Sequence, residues 1–167
     1  TTIGEAEAEL NFFDGTRVRN KPEIIFSEDE RSDLAMFRFP TGELPIDTLL
    51  GLREINFKME YYEDLTEGER AFLYAAYWYQ EETLITDTEF LSLDAREASR
   101  GNYDNDNYLV FKRCSREGQS GGPVFDTRGR CLAVSSSYYY TLYEDRVVYE
   151  VDCYCRLDQA EQLYGEF

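Results

Sequence analysis

Nine short apolar segments, most of them separated by turn-forming residues, constrain the fold of this chain more than any other feature of its sequence. Some alternate apolar and polar residues, as a strand with one buried face does, and others are continuous apolar runs of strand length. Many short strands at such spacing are typical of a closed or sandwiched β fold. We therefore predict an all-β chain with strands in these segments: Ala6–Phe13, Ile24–Phe26, Leu34–Phe39, Phe57–Tyr62, Ala71–Tyr79, Phe90–Leu93, Tyr108–Phe111, Cys131–Ser135 and Val147–Cys153.

Length and composition bound the class of protein. The 167 residues suit one domain, and a content of 43% hydrophobic and 16% aromatic residues is enough to build a core. The longest apolar run, Ala71–Tyr79, is too short to cross a bilayer, so we expect no membrane span. The last segment, Leu157–Tyr164, carries Leu157, Ala160 and Tyr164 at helical spacing and predicts a short C-terminal helix.

The acidity of the chain limits its partners. A net charge of −17 argues against nucleic acid, because phosphate binding relies on lysine and arginine. Such a charge favours basic substrates or partners, or it serves solubility alone. The tyrosine run 138–140, with Tyr143, would line a groove or a partner surface, or its alternate members would cover a core. One interpretation is therefore a regulatory subunit whose acidic, tyrosine-rich face docks a basic partner.

One serine stands on a glycine-rich turn ahead of an apolar run, in Gly118-Gln119-Ser120-Gly121-Gly122-Pro123-Val124-Phe125. A serine hydroxyl becomes a nucleophile when its oxygen is exposed and a base can take its proton. Backbone N–H groups must also point at the oxyanion that forms during attack. The three glycines permit backbone conformations that aim those groups, and they let a substrate come close. The alternative is an ordinary glycine turn between strands.

This run resembles the nucleophile loop of trypsin-like serine proteases, and its continuation, Val124–Arg130, is most similar to the bacterial-type branch of HtrA and glutamyl-endopeptidase proteases. The segment Arg31–Phe39 resembles the part of the family that carries the catalytic aspartate, although Asp33 on its own would suit a strand cap. The resemblance implies a chymotrypsin-type double β-barrel whose first barrel is incomplete. It places about residues 1–50 in the first barrel and about residues 55–167 in the second barrel and C-terminal helix.

The resemblance also implies the roles of individual residues. The chain would be a serine endopeptidase that acts on protein or peptide substrates through an acyl-enzyme, with no cofactor or metal. Ser120 would be the nucleophile, Asp33 would orient the catalytic histidine, and the backbone N–H groups of Gly118 and Ser120 would form the oxyanion hole. Gln119 replaces an aspartate that, in the animal digestive branch, pairs with the N-terminus freed on activation, so we do not expect that switch here.

The histidine of this triad is missing, because the chain contains none. Glu5–Gly15 resembles the strand and turn that follow the catalytic histidine, which would place that residue at or before Thr1. Three explanations stay open: an N-terminal segment has been removed, a companion chain supplies the histidine, or the chain is an inactive protease-fold binding or scaffolding module. Lys112, eight residues before Ser120, is an alternative base, although a solvated strand lysine is the better interpretation.

Two segments would form the walls of the substrate pocket, namely Cys114-Ser115-Arg116 and Val134-Ser135-Ser136-Ser137. The second would lie on the strand along which the substrate backbone pairs. Neither wall carries an acid, so the pattern does not favour lysine or arginine as the substrate side chain. Arg116 or Arg113 would accept an acidic side chain through a charge-assisted hydrogen bond, or both arginines face solvent.

The four cysteines do not form a recognisable disulfide or zinc pattern. Cys153 and Cys155 are two residues apart in a predicted strand, so they share a face and a disulfide between them would be strained. Cys114 and Cys131 flank the nucleophile loop without reproducing the spacing known from trypsin. A structural zinc site needs four convergent ligands, which this sequence does not supply. We expect free, buried thiols.

Overall fold

The computed structural model describes residues 8–12, 14–26, 33–40, 42, 44–52, 60–76, 83–158 and 160. Most of the secondary structure in these residues is β, which confirms the predicted fold class. The strands are β1 (Ala8–Asn11), β2 (Arg17–Asn20), β3 (Glu23–Phe26), β4 (Ala35–Arg38), β5 (Arg70–Ala76), β6 (Thr83–Ser92), β7 (Tyr108–Lys112), β8 (Pro123–Asp126), β9 (Cys131–Tyr143) and β10 (Arg146–Arg156). The helices are α1 (Ile46–Gly51), α2 (Glu60–Glu63) and α3 (Ala95–Ala98).

Six of the strands close into one antiparallel barrel, in the order β10-β7-β6-β5-β8-β9. The described residues that precede it form two separate two-stranded sheets, β1 with β2 and β3 with β4. The chain thus has one complete barrel, and its N-terminal part contributes strands that do not close into a second one among the described residues. This arrangement agrees with the expected double-barrel architecture that lacks part of its first barrel.

The barrel interior is filled by large side chains from strands that face one another. Phe111 of β7 stacks on Tyr154 of β10 with ring centroids 5.3 Å apart, and Phe90 of β6 meets Phe111 edge-on at 5.8 Å. Leu73 and Leu132, fully or almost fully buried, complete this cluster. Burial of each such side chain contributes about 1.5–3 kcal/mol.

Strand β7 up to Phe111 and residues 151–155 of β10 are buried on both faces, which explains why most of these residues are apolar. Leu109 and Phe111 point into the barrel, whereas Tyr108 and Val110 belong to a second cluster on its outer side, with Ala95 of α3. Cys153 and Cys155 lie in this second cluster, so the prediction that the two thiols share a face is correct.

The ladder between β9 and β10 contains an irregularity that positions the functional region. Cys155 pairs with Val134 and Cys153 pairs with Ser137, so two serines oppose the single residue Tyr154. This is the count of a β-bulge, a feature that re-aims side chains and is frequent next to active sites. Beyond the bulge, the two strands continue to a turn at Glu144 and Asp145, both of which have positive φ, as a type I′ hairpin requires.

Most of the predicted strands are present, and one is wrong. Each predicted segment except Phe57–Tyr62 overlaps an observed strand. Residues 57–59 lie outside the described residues, and residues 60–62 belong to the helical turn α2. Tertiary contacts explain why residues 60–62 are helical. The Tyr62 hydroxyl donates to the Leu132 carbonyl and accepts from the Leu157 amide, both at 2.9 Å. A single turn holds the ring in that position.

Several elements escaped prediction. Strand β2 (Arg17–Asn20) has one apolar residue and is identified by its pairing with β1, not by its pattern. Strand β8 and the helices α1 and α3 were not predicted, and β9 continues eight residues beyond its predicted end, to Tyr143. The predicted C-terminal helix, Leu157–Tyr164, lies mostly outside the described residues. Within the described part of the chain, no helix has the length and apolar character of a membrane span.

Candidate active site

The loop between β7 and β8 carries Ser120 on a set of tight turns. The Gln119 amide donates to the Arg116 carbonyl at 3.1 Å, and Gly118 between them has a φ of +87°. A positive φ at the third position is the mark of a type II turn, which favours glycine there. The Gly121 amide donates to the Ser135 carbonyl at 2.7 Å and so ties the loop to β9. Ser120 is exposed at the top of this loop.

The second glycine after Ser120 is required by close packing. A Cβ at Gly122 would lie 2.5 Å from the Cβ of Ala75 and 2.9 Å from the Tyr74 carbonyl oxygen, both on β5. The Gly122 carbonyl also accepts from the Ser135 amide at 2.8 Å. The loop therefore sits directly on the backbone of β5, and the absence of a side chain at this position lets it do so.

Ser120 and Asp33, far apart in sequence, are brought to the same residue of β9. The Ser120 Oγ donates to the Ser136 carbonyl at 3.2 Å, and the Ser136 Oγ donates to Asp33 Oδ2 at 2.7 Å. The Asp33 carbonyl in turn accepts from the Cys155 thiol at 3.3 Å. The structure thus places the two predicted catalytic residues on either side of Ser136, at the β-bulge. The partner of the Ser120 hydroxyl in this arrangement is a backbone carbonyl, which cannot act as the base that a nucleophilic serine requires.

Among residues 118–122, two backbone N–H groups have no acceptor in the described part of the chain. Gln119, Gly121 and Gly122 donate their amides to carbonyls of the loop and of β9. The amides of Gly118 and Ser120 make no such bond with any residue of the described ranges. These two groups are the donors that the sequence analysis named for the oxyanion hole.

A cavity of about 280 Å³ adjoins Ser120, between the nucleophile loop and β9. Its wall includes five of the six residues predicted for the pocket, and Glu117 and Tyr138 as well. Cys114, the sixth, packs against the barrel core below the wall. The residues that line the cavity are Ser115, Arg116, Glu117, Gly118, Ser120, Ser135, Ser136, Ser137 and Tyr138.

Behind this wall lies Asp152, a fully buried carboxylate that the sequence analysis did not identify. Its Oδ1 accepts from Arg113 Nη1 at 2.9 Å and from the Ser115 Oγ at 2.7 Å. Its Oδ2 accepts from the Cys114 and Ser115 amides, both at 2.8 Å, and from the Tyr154 hydroxyl at 2.7 Å. Five donors converge on one carboxylate, which fixes the start of the cavity wall. The only signal in the sequence was an acid within the apolar strand pattern of β10.

The two arginines considered for recognition of an acidic substrate differ in environment. The Arg113 side chain is 21% exposed, pairs with Asp152 and lies over the Tyr138 ring at 4.2 Å from its centroid. It therefore points inward rather than into solvent. Arg116 is exposed and lines the cavity.

Lys112, the alternative base, lies in an exposed ion pair. Its Nζ is 3.3 Å from Glu89 Oε2, and its side chain is 63% exposed. A catalytic lysine must be buried to lose its charge near neutral pH. Lys112 is therefore a solvated strand lysine, which was the better interpretation of the sequence.

The four cysteines are free thiols. Burial raises the pKa of Cys131 and of Cys153 to about 12 and that of Cys155 to about 11, and it also raises the pKa of the half-buried Cys114. Thiols of this kind are unreactive at neutral pH, because the thiolate is the nucleophilic form. No group of three metal-ligating side chains occurs in the part of the chain that the structure describes.

The tyrosine run divides between two environments, as strand alternation requires. Tyr139 packs against the outer cluster and meets Tyr149 edge-on, with ring centroids 6.3 Å apart. Tyr138 and Tyr140 are half-exposed on the opposite face and stack at 5.7 Å. Tyr138 thereby connects the cavity wall to an exposed aromatic surface.

The sequence of the chain matches the model of one known protein family. A family model described as "Trypsin-like peptidase domain" matches residues 2–134. No curated protein sequence matches the chain significantly.

Similar solved structures include Deg5, with 16% identity and a TM-score of 0.60 over 92% of this chain and 63% of that chain. The HtrA-type protease AlgW with a tripeptide has 11% identity and a TM-score of 0.65, over 95% of this chain and 46% of that chain. The MamO protease domain from Magnetospirillum magneticum, in its apo form, has 13% identity and a TM-score of 0.57, over 94% and 74%. The chain spans less than two thirds of the length of the first two. At these identities the likeness shows a shared fold.

Proposed function

The chain belongs to the trypsin-like peptidase family, and on that basis we propose that it forms part of a serine endopeptidase that cleaves peptide bonds through an acyl-enzyme on Ser120. The observation that carries the proposal is the meeting of Ser120 and Asp33 at Ser136. The proposal divides the chain into the remainder of a first barrel, about residues 1–50, and a second barrel from about residue 55 onward.

The proposed chemistry is acyl transfer in two steps. Ser120 Oγ attacks the scissile carbonyl carbon while a histidine takes its proton, and the oxyanion accepts hydrogen bonds from the Gly118 and Ser120 amides. The C–N bond then breaks as the histidine returns the proton to the leaving amine. Water attacks the acyl-enzyme by the same route and releases Ser120. Asp33 holds the imidazole in the tautomer that this exchange requires.

The histidine comes from outside residues 1–167, from a preceding segment or a companion chain. For its ring to bridge the Ser120 Oγ and Asp33 Oδ2, the bond between Ser120 and the Ser136 carbonyl has to open. The bond from the Ser136 hydroxyl to Asp33 can persist, because a carboxylate accepts several hydrogen bonds. Ser136 would then steady the aspartate.

A second candidate function is a binding or scaffolding module with the protease fold and no catalysis. Two observations favour it: residues 1–167 contain no histidine, and the Ser120 hydroxyl donates to a backbone carbonyl. The net charge of −17 indicates basic proteins as partners of such a module. Binding to them would fall with salt and would be unaffected by Ser120→Ala.

Labelling of the natively produced protein with a fluorophosphonate probe, followed by mass spectrometry, tests the first proposal against the second. We expect an adduct on Ser120 and a histidine-bearing peptide that precedes or accompanies Thr1. Asp33→Asn should slow labelling by up to about 10⁴-fold. Asp87→Asn, an exposed acid of β6, is the matched control and should label normally.

The same spectra contain the contradicting result. If Ser120 stays unlabelled and no histidine-bearing polypeptide precedes or accompanies the chain, the protease proposal fails and the binding module stands.

A further inference from the structure

The serine hydroxyls of the cavity donate their hydrogens to the protein. Ser115 donates to Asp152 at 2.7 Å and Ser136 donates to Asp33 at 2.7 Å. The Ser137 Oγ donates to the Cys153 carbonyl at 3.3 Å, and the Ser120 Oγ donates to the Ser136 carbonyl at 3.2 Å. Four of the five serines that line the cavity therefore have their single hydroxyl hydrogen engaged.

What these hydroxyls offer a ligand is accepting capacity. Each hydroxyl has one hydrogen and two acceptor lone pairs. Ser115 uses one lone pair for Arg113 Nη1, which donates to it at 2.7 Å, and keeps the other. A wall of this kind bonds well to a side chain that brings its own hydrogens, and apart from Ser135 its serine hydroxyls have no hydrogen left to donate to a carboxylate.

The ionised groups behind the wall are already neutralised. Asp152 is fully buried and accepts five hydrogen bonds, which leaves no oxygen lone pair for a substrate cation. Arg113 Nη1 is engaged with Asp152 and Ser115, and the guanidinium is covered by the Tyr138 ring. Neither Asp152 nor Arg113 is therefore available as a counter-charge for a charged substrate side chain that enters the cavity and loses its hydration, which is costly.

Two exposed residues of opposite charge, Arg116 and Glu117, also line the cavity. Because they are neighbours of opposite sign, we expect the pair to add no net preference for a cationic or an anionic side chain. The volume of about 280 Å³ suits one side chain, since pockets for drug-sized ligands are generally larger.

We propose that the cavity beside Ser120 selects an uncharged hydrogen-bond donor, the carboxamide of glutamine or asparagine above all, as the substrate side chain. This inference rests on the proposed function, because it takes the residue next to the scissile bond to be the one that enters the cavity. The sequence-based alternative is an acidic substrate held by Arg116 or Arg113. The Arg113 guanidinium is committed to Asp152, so that alternative now depends on Arg116.

Peptide binding tests the proposal without relying on catalysis. Acetyl-Ala-Ala-Gln amide is titrated into the natively produced protein against its glutamate, methionine and lysine analogues, and binding is followed by the chemical shifts of isotope-labelled amides. We expect the glutamine peptide to bind about five- to tenfold more tightly than the methionine peptide, as one or two net hydrogen bonds allow. The glutamate and lysine peptides should bind more weakly still.

Two controls separate hydrogen bonding from net charge. The neutral glutamine and methionine pair removes the general repulsion that an acidic protein exerts on glutamate. Exchange of the first alanine for glutamine or glutamate, two positions away, should produce no comparable difference. Ser137→Ala removes one acceptor and should reduce the preference for the glutamine peptide over the methionine peptide about threefold. Thr127→Ala, in the turn between β8 and β9, is the matched variant outside the cavity.

The outcomes are distinct from those of the probe experiment. Equal or tighter binding of the glutamate or methionine peptide overturns the inference, as does the absence of binding by every peptide. Failure of Ser120 to label would remove catalysis, but a glutamine preference that depends on Ser137 would still establish the selectivity of the cavity. Labelling of Ser120 together with a preference for glutamate would keep the protease and reject this substrate class.

Discussion

Replacement of Asp152 by asparagine should destabilise the chain strongly, because the carboxylate neutralises a largely buried arginine. Asparagine has nearly the same shape, but it keeps one acceptor oxygen and puts an NH₂ group in place of the other. With its oxygen toward the Cys114 and Ser115 amides, that NH₂ group faces Arg113 Nη1, which donates to Asp152 at 2.9 Å. The Ser115 hydroxyl can rotate and accept a hydrogen bond from the NH₂ group. The Arg113 guanidinium has no acceptor, so it loses its partner.

The size of the loss follows from what Arg113 retains. Breaking a buried ion pair by removing one partner costs about 3–5 kcal/mol. Arg113 is 21% exposed and keeps Glu150 at 3.8 Å, so its charge is not wholly uncompensated. We therefore expect about 3 kcal/mol for Asp152→Asn, the lower end of that range. This is a large part of the 5–15 kcal/mol that stabilises a typical domain.

Urea denaturation followed by circular dichroism measures this loss. In the matched control, Asp87→Asn, the carboxylate also pairs with an arginine, at 2.7 Å, but it is 61% exposed, and we expect a loss of at most about 1 kcal/mol. The double variant Arg113→Met with Asp152→Asn should lose about 1–3 kcal/mol less than the sum of the single variants. A loss below about 1 kcal/mol for Asp152→Asn, or strict additivity in the double variant, would refute the reasoning.

Three further predictions concern packing, thiol reactivity and acid stability. Gly122→Ala places a Cβ 2.5 Å from a side-chain carbon of β5, so it should cost about 1–3 kcal/mol in urea denaturation, whereas Gly42→Ala, with open space around its Cβ, should change little. Because burial raises the pKa of Cys131 to about 12, iodoacetamide at pH 8 should modify it far more slowly than the half-buried Cys114, as peptide mapping will show; equal rates would contradict its burial. Burial would raise the pKa of Asp126, but hydrogen bonds from two neighbouring arginines outweigh it and lower the pKa. A carboxyl with a lowered folded pKa stabilises the fold above its unfolded value, so the urea midpoint should fall as the pH drops below about 4, and Asp126→Asn should reduce that dependence; an unchanged acid slope in this variant would show that other carboxyls cause it.

Much of the fold could be predicted because many strands have a recognisable pattern of apolar residues in their own sequence. Tyr108–Phe111 is an apolar run of strand length and Val147–Cys153 is mostly apolar over a similar length, and the structure places β7 and β10 there. Prediction failed where a partner, rather than the pattern, makes the element. Arg17–Asn20 becomes a strand because β1 lies beside it, and the turn of α2 forms because the Tyr62 hydroxyl bonds across the barrel.

The loop that carries Ser120 could be predicted from its sequence motif, whereas the hydrogen bonds around it could not. The glycines around Ser120 are a local requirement, since Gly118 and Gly121 both have a φ of +87° and that conformation is open chiefly to glycine. The residue that joins Ser120 to Asp33 was named only as a pocket wall, because a hydrogen bond between distant segments leaves no local pattern. Asp152 was missed for the same reason.

What the sequence determined by itself is the all-β class, which follows from periodicity, and the position of the serine turn, which follows from glycine conformations within a few residues. The family followed from the resemblance of that turn and of Arg31–Phe39 to known motifs. What only the tertiary structure decided is the direction in which the polar groups bond. Closure of the barrel pairs Phe111 with Asp152 and so brings Arg113 to a carboxylate far along the chain. The bulge opposite Tyr154 turns Ser136 toward Ser120 and Asp33. Both depend on strand register, which is set by the packing of six strands at once and not by any one of them.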